Sequence, residues 1–112
     1  MQGNERVLDL LNDVLTAELT AVNQYFVDAK MCESWGYERL AATFKAESID
    51  EMKDAEALID RILYLDGVPN LQRLGTVKVG ESPLEKLNAA LDLERAAIER
   101  LNGWHRVVHR EG

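Results

Sequence analysis

Three long stretches of this chain carry apolar residues at alternating three- and four-residue spacing, and each stripe contains one glutamate. That spacing places the residues of a stripe on one face of an α-helix. The stripes run from Leu8 to Cys32, from Leu40 to Leu65 and from Leu84 to Leu101, and their glutamates are Glu18, Glu51 and Glu94. A carboxylate on a core-facing stripe is costly to bury unless it is paired or bound to a cation. The pattern therefore predicts a helical bundle with a metal site inside it.

Local turn signals set the expected ends of these helices. The first helix, about Glu5 to Trp35, is predicted to end at Gly36, and the second, about Tyr37 to Leu65, at Asp66-Gly67. The third opens with Ser82-Pro83-Leu84-Glu85, a capping box with proline at the first helical position. The fold class is therefore all-α.

The segment between the second and third helices, Val68 to Glu81, is too long for a tight turn between antiparallel neighbours. Fully extended, it reaches roughly 45 Å, and a helix of this size is about 43 Å long. The segment can therefore return to the far end of the bundle and make the second and third helices parallel. That arrangement brings Glu18, Glu51 and Glu94 to a similar height.

Composition narrows the class of protein. The 112 residues are predicted to form a single domain, 1–112, and the net charge of −7 argues against nucleic-acid or anionic-membrane partners. The one cysteine, Cys32, excludes an intrachain disulfide and is expected to be a small buried residue. No signal peptide or membrane-spanning run is evident, which predicts a cytoplasmic protein.

Several short motifs closely resemble bacterioferritin, a member of the ferritin-like superfamily. They are Glu18 with Asn23-Gln24-Tyr25-Phe26, Trp35-Gly36, Glu47-Ser48-Ile49-Asp50-Glu51-Met52 and Pro69-Asn70-Leu71-Gln72. The resemblance extends from the N-terminus to about Asn102 and implies a ferritin-like bundle. It also implies iron storage in a shell of many subunits, Fe(II) oxidation at a di-iron centre within each subunit, and haem b bound between subunit pairs.

By the same resemblance, Glu18, Glu51 and Glu94 are iron ligands and Met52 is the haem ligand. Helix geometry places Met52 about 100° from Glu51, so that it points away from the bundle interior. A gap-filling methionine at a packed interface is the alternative. Tyr25 is expected to pack and hydrogen-bond near the metal site, and Glu47 is either a second carboxylate of that site or part of the helix surface.

The chain departs from the family pattern in two ways. Asp54 stands where the family has a histidine, so it is either an oxygen ligand or a solvated acid. The fourth helix, which supplies further ligands, is missing, so the bundle is predicted to be truncated and its ferroxidase activity impaired. A homo-oligomer or a mixed bacterioferritin shell would cover the open side. The alternatives are a haem-carrying or structural partner subunit, and a metal-free helical interaction module.

The last residues, 103–112, differ in character from the rest. Residues 1–99 hold ten Lys/Arg against nineteen Asp/Glu, whereas residues 100–112 hold three against one and both histidines, His105 and His109. We interpret this as a frameshifted tail. The two histidines lie four apart and could form a metal pair on a helix, but no third ligand accompanies them.

Overall fold

A computed structural model describes the backbone of residues 3–70 and 77–111 and the side chains of residues 3–70 and 77–100. It contains three α-helices, α1 (Glu5–Ser34), α2 (Glu38–Tyr64) and α3 (Pro83–Glu111), and no β-strand within the described ranges. The all-α prediction is confirmed, and the predicted ends of α1 and α2 and the predicted start of α3 lie within a residue or two of those observed. None of the helices, over its described residues, has an apolar stretch that could cross a lipid bilayer.

The helix ends follow the local chemistry of the sequence. Gly36 has a φ of 88° at the end of α1, where the N–H groups of Gly36 and Tyr37 donate to the carbonyls of Glu33 and Cys32. This is a Schellman motif, and a residue without a Cβ adopts that φ at least cost. At the start of α3, the Glu85 N–H donates to Ser82 Oγ at 3.2 Å. Helix α1 therefore ends, and helix α3 begins, at the positions that the turn signals predict.

Helices α1 and α2 form an antiparallel hairpin. Ser48 Oγ donates to the carbonyl of Val22 at 2.9 Å, and the rings of Tyr25 and Phe44 stack with centroids 6.0 Å apart. At the open end of the hairpin, the Gly3 N–H donates to the Leu65 carbonyl. These pairs bring the middle of α1 to the middle of α2.

The apolar core consists of two clusters on either side of a polar layer. One cluster is centred on Leu15, Ala55 and Ile62. The other consists of Ala21, Tyr25, Ala29, Cys32, Ala41 and Phe44. Fully burying a Leu or Ile side chain contributes about 1.5–3 kcal/mol, so each cluster holds its own end of the hairpin. The segment of α2 between Phe44 and Ala55 carries the polar layer.

Helix α3 runs antiparallel to α1 and hence parallel to α2. Its early residue Lys86 contacts Asp28, whereas the later Glu94 contacts Tyr25, which is nearer the start of α1. The crossover runs back along α1, since the Val68 carbonyl accepts from the Asn12 side chain near the start of α1 and the Lys78 N–H donates to Gln24 Oε1 further along it. The parallel arrangement predicted from the length of the crossover is therefore observed.

One side of α3 remains open to solvent. Its apolar residues Leu84, Leu87, Leu91 and Ile98 are 48–68% exposed. The interpretation of Glu94 as a buried residue is wrong in this respect, because Glu94 is exposed whereas Glu18 and Glu51 are half-buried. Among the described residues the backbone of α3 lies close to that of α1 and not to that of α2, which leaves the stripe that contains Glu94 uncovered.

Candidate metal centre

The three predicted glutamates meet in the polar layer between the two apolar clusters. Carboxylate oxygens of Glu18, Glu51 and Asp54 lie within 4.8 Å of one another, and so do those of Glu47, Glu51 and Glu94. The two groups share Glu51. All three helices contribute, because Glu18 lies on α1, Glu94 on α3 and the other three acids on α2.

Glu18 supplies an oxygen that the described protein atoms do not satisfy. Its Oε2 is buried and has no hydrogen-bond partner there. A buried polar atom without a partner is costly, and a carboxylate oxygen is a ligand that hard divalent cations accept. The donor set therefore fits a cation bound next to Glu18.

Glu51 is the carboxylate that has the other acids of the layer on both sides. Burial raises the pKa of its carboxyl above the ordinary glutamate value, and the nearby charges of Asp54 and Glu94 raise it further. Each of these effects disfavours the ionised form, and a bound cation would oppose them. A cation bound beside Glu51 would therefore favour its ionised form.

A hydrogen bond from Tyr25 links Glu94 to α1. Its hydroxyl donates to Glu94 Oε1 at 3.0 Å, and the ring is 2% exposed. Burial, together with the Glu94 hydrogen bond and nearby carboxylates, holds the pKa of Tyr25 far above its usual range. The phenol therefore stays protonated and acts as a donor, as the packing and hydrogen-bond expectation for Tyr25 predicts.

A cavity of about 240 Å³ adjoins this layer. It is lined by three of the acids, Glu18, Glu51 and Glu94, and by residues that include Asp13, Thr16 and Arg100. The volume exceeds that of a single water molecule several-fold, so hydrated cations fit inside. The described part of α3 closes one wall of the cavity.

Two acids whose role the sequence left undecided, Asp54 and Glu47, lie at the site. Asp54 is exposed but lies with Glu18 and Glu51, and half-buried Glu47 lies with Glu51 and Glu94. Glu47 and Asp54 are four residues before and three after Glu51, spacings that put side chains on one helix face. That spacing is the signal by which the sequence could have assigned both acids to the site. An acid on the helix surface three or four residues from Glu51 would show the same spacing, so the signal does not distinguish the two cases.

Met52 lies on the outer side of the hairpin, as helix geometry predicts. It is 47% exposed and neighbours the exposed Ile49 on the same helix. A groove of about 660 Å³ opens on the hairpin nearer the start of α2 than Met52 and is lined by residues that include Phe26 and Lys45. Met52 is seven positions after Lys45, so both lie on one face of α2.

The side chains of His105 and His109 lie outside the described residues, as do the other side chains of the predicted frameshifted tail. The backbone of α3 continues as helix to Glu111. The tail hypothesis therefore stays a prediction.

Comparison with known proteins gives a consistent result. A family model described as ferritin-like domain matches residues 8–112. Bacterioferritin of Mycobacterium leprae is 52% identical over 101 residues, which cover 90% of this chain and 64% of that relative. Bacterioferritin of Streptomyces coelicolor is 54% identical over 101 residues, covering 90% and 60%. The chain thus spans less than two thirds of the length of these curated relatives.

The same relationship holds in three dimensions. The solved structure of Mycobacterium tuberculosis bacterioferritin, BfrA, superposes with a TM-score of 0.95 at 47% sequence identity. The match covers 99% of this chain and 70% of that structure. The expected ferritin-like bundle is confirmed, and the chain belongs to the bacterioferritins, within the ferritin-like domain family.

Proposed function

We propose that this chain is an iron-storage subunit of bacterioferritin type that binds Fe(II) in the polar layer and oxidises it there. The observation that carries the proposal is the pair of carboxylate groups joined by Glu51, with oxygens no more than 4.8 Å apart within each group. Two cations, one in each group, would then share Glu51 as a bridging ligand. Glu18 and Asp54 would hold one ion and Glu47 and Glu94 the other.

Carboxylates suit this task for two reasons. Hard oxygen donors bind ferrous and ferric ions, and their negative charge offsets the charge that accumulates as iron is oxidised. Iron supplies the redox chemistry, with each Fe(II) giving up one electron to oxygen. The chain's own contribution would be to bind and orient the ions, since Glu51 belongs to both carboxylate groups and Tyr25 holds Glu94 through its hydroxyl.

The donor set also predicts a low rate of oxidation. Asp54 replaces the nitrogen ligand of the family pattern with an oxygen on a shorter side chain, and the open side of α3 leaves Glu94 exposed to water. Solvent access weakens electrostatic interactions in a site by raising the local dielectric. Binding of Fe(II) without rapid turnover is therefore the expected behaviour of this chain.

A second candidate function is a haem-carrying or structural partner subunit with impaired ferroxidase activity. The exposed Met52 favours it, because its thioether on the outer face of the hairpin is free to bind haem iron. Ile49 beside it and Phe26 in the nearby groove offer apolar surface to a porphyrin. Haem b would then lie between this subunit and a second one, inside a homo-oligomer or a mixed bacterioferritin shell.

Oxygen uptake after Fe(II) addition tests the first function. The chain as it stands should bind Fe(II) and consume oxygen slowly, and Asp54→His should tighten Fe(II) binding because it restores a nitrogen donor three residues from Glu51. Glu56→Gln is the matched control, since Glu56 is an exposed acid of α2 outside both groups. An absence of Fe(II) binding, or equal binding in a Glu51→Gln variant, would contradict the proposal. Haem absorbance without iron-dependent oxygen uptake would favour the second function.

A further inference from the structure

A buried ion pair joins α1 to the beginning of α3. Lys86 Nζ donates to Asp28 Oδ1 at 3.0 Å, and the two side chains are 0% and 1% exposed. The ammonium group also lies 3.2 Å from Met31 Sδ and 5.4 Å from the centroid of the Trp35 ring. Asp28 is the carboxylate paired with this charge, and the contact therefore depends on one position of α3 along α1.

The apolar contacts of α3 define its position along α1 only weakly. The residues that pack against the core are few, namely Ala90 and Leu93 beside the buried Ala89. The larger Leu87 and Leu91 are 48% exposed. Small residues at helical spacing offer similar contacts after a shift of one turn, because the stripe repeats every three to four residues.

The ion pair does not tolerate such a shift. Sliding α3 by one turn moves each of its side chains about 5.4 Å along the axis. Lys86 would leave Asp28, and both charges would stay buried without a partner, which is strongly destabilising. Selection of one register among several is the best-attested use of a buried ionic group in a helical assembly.

The register matters for the carboxylates. Glu94 is eight residues after Lys86, about 12 Å further along the same helix. Its Oε1 accepts from Tyr25, which is three residues before Asp28 on α1. A shift of about 5.4 Å exceeds the 4.8 Å within which the oxygens of Glu94, Glu47 and Glu51 now lie.

We propose that the buried Asp28–Lys86 pair fixes the register of α3 on α1 and thereby positions Glu94 beside Glu51. Both residues act as positioning residues, through Glu94. The consequence for metal binding rests on the proposed function, whereas the register itself does not.

The central test variant replaces both charges with apolar groups of similar size, as Asp28→Leu with Lys86→Met. Such replacements of buried ion pairs often leave stability unchanged or higher, so helix content should persist while register selection is lost. Spin labels at the exposed Asn23 and Asn88 report the register in a Cys32→Ala background, with labelled chain diluted into unlabelled chain to suppress distances between subunits. We expect one label–label distance in the parent and a second population, displaced by up to about 5 Å, in the apolar variant.

Cobalt(II) affinity provides the second readout. It should fall about tenfold in the apolar variant, the lower end of the range for residues that orient metal ligands. Glu94→Gln should then cost less affinity in the apolar variant than in the parent, because coupled residues are not additive. A purely structural role for the pair would lower stability without changing this coupling.

Two further variants complete the design. The exposed pair Lys78–Asp92, with Nζ 3.6 Å from Oδ2, is the control, and Lys78→Met with Asp92→Leu should leave the distance and the affinity as in the parent. The exchange Asp28→Lys with Lys86→Asp should restore the single label–label distance of the parent. If the apolar variant fails to fold, the exchanged variant tests the register proposal.

An unchanged single distance in a folded apolar variant would overturn the proposal, as would a shifted or divided distance in the exchanged variant. If the parent chain binds no cobalt(II) while the distances behave as expected, the proposed function fails and the register assignment stands.

Discussion

Removing the charge of Glu51 should stabilise the metal-free chain and at the same time abolish its response to metal. Glu51→Gln keeps the size of the side chain but removes the negative charge that both carboxylate groups share. Each pair of unit charges at 4.8 Å, the distance within which the oxygens of a group lie, repels by about 1 kcal/mol in a water-like dielectric. Asp54 and Glu94 are both exposed, so the water-like value applies. Relief of the repulsion from these two gives a gain of the order of 1–2 kcal/mol at neutral pH.

The pH dependence follows from the direction of the pKa shift. The pKa of Glu51 is raised in the folded chain above the ordinary glutamate value of 4.5. The folded chain therefore binds the proton more tightly than the unfolded chain, and the penalty grows as the pH rises from about 4.5 through the raised value. The penalty is complete above the raised value and disappears below the unfolded pKa. The gain from Glu51→Gln should accordingly shrink toward zero as the pH falls to about 4.

The assay is urea unfolding followed by circular dichroism, at fixed chain concentration, between pH 4 and pH 8. A divalent cation should raise the stability of the parent chain because it binds the folded state alone, and it should have little effect on Glu51→Gln. Glu56→Gln, an exposed acid on the same helix, should change neither quantity. Destabilisation by Glu51→Gln at neutral pH, or a metal response equal to that of the parent, would refute the reasoning.

Three further outcomes are expected. Met52→Leu should eliminate haem absorbance and leave the helical circular dichroism unchanged, since leucine conserves volume but lacks a thioether; haem absorbance that persists would place the ligand elsewhere. Gly36→Ala should lower the free energy of unfolding by about 1 kcal/mol, because its φ of 88° is unfavourable for alanine although no atom lies within 4 Å of the new Cβ; an unchanged midpoint in urea would contradict this. Light scattering should give a mass above the 12.6 kDa of one chain, because the apolar face of α3 is exposed; a soluble monomer at micromolar concentration would count against that expectation.

Local chemistry explains why the helices could be predicted closely from the sequence. Gly36 and the Ser82–Glu85 box determine helix ends through contacts within a few residues, so their effect does not depend on the rest of the fold. The crossover could likewise be interpreted from its length alone. The meeting of Glu18 and Glu51 followed from counting residues away from one turn.

Contacts between distant residues were harder to foresee. Lys86 precedes the apolar Leu87 and resembles a surface lysine in the sequence, yet it is completely buried against Asp28, fifty-eight residues away. Nothing in the spacing of either residue indicates that pairing. The exposure of Glu94 was also missed, because a stripe predicts which face of a helix is apolar and does not say whether another element covers it.

The polar layer has a physical cost that helps to identify its role. Apolar clusters lie on both sides of it, and an aliphatic residue at position 51 would join them without the desolvation that raises the pKa of Glu51. The unpartnered oxygen of Glu18 adds to that cost. Carboxylates from three helices should reduce the stability of the metal-free fold, and a bound cation would offset that loss. A layer of this kind is understandable as a binding site whose stability would depend on its ion, and Asp54 would add one more oxygen ligand to it.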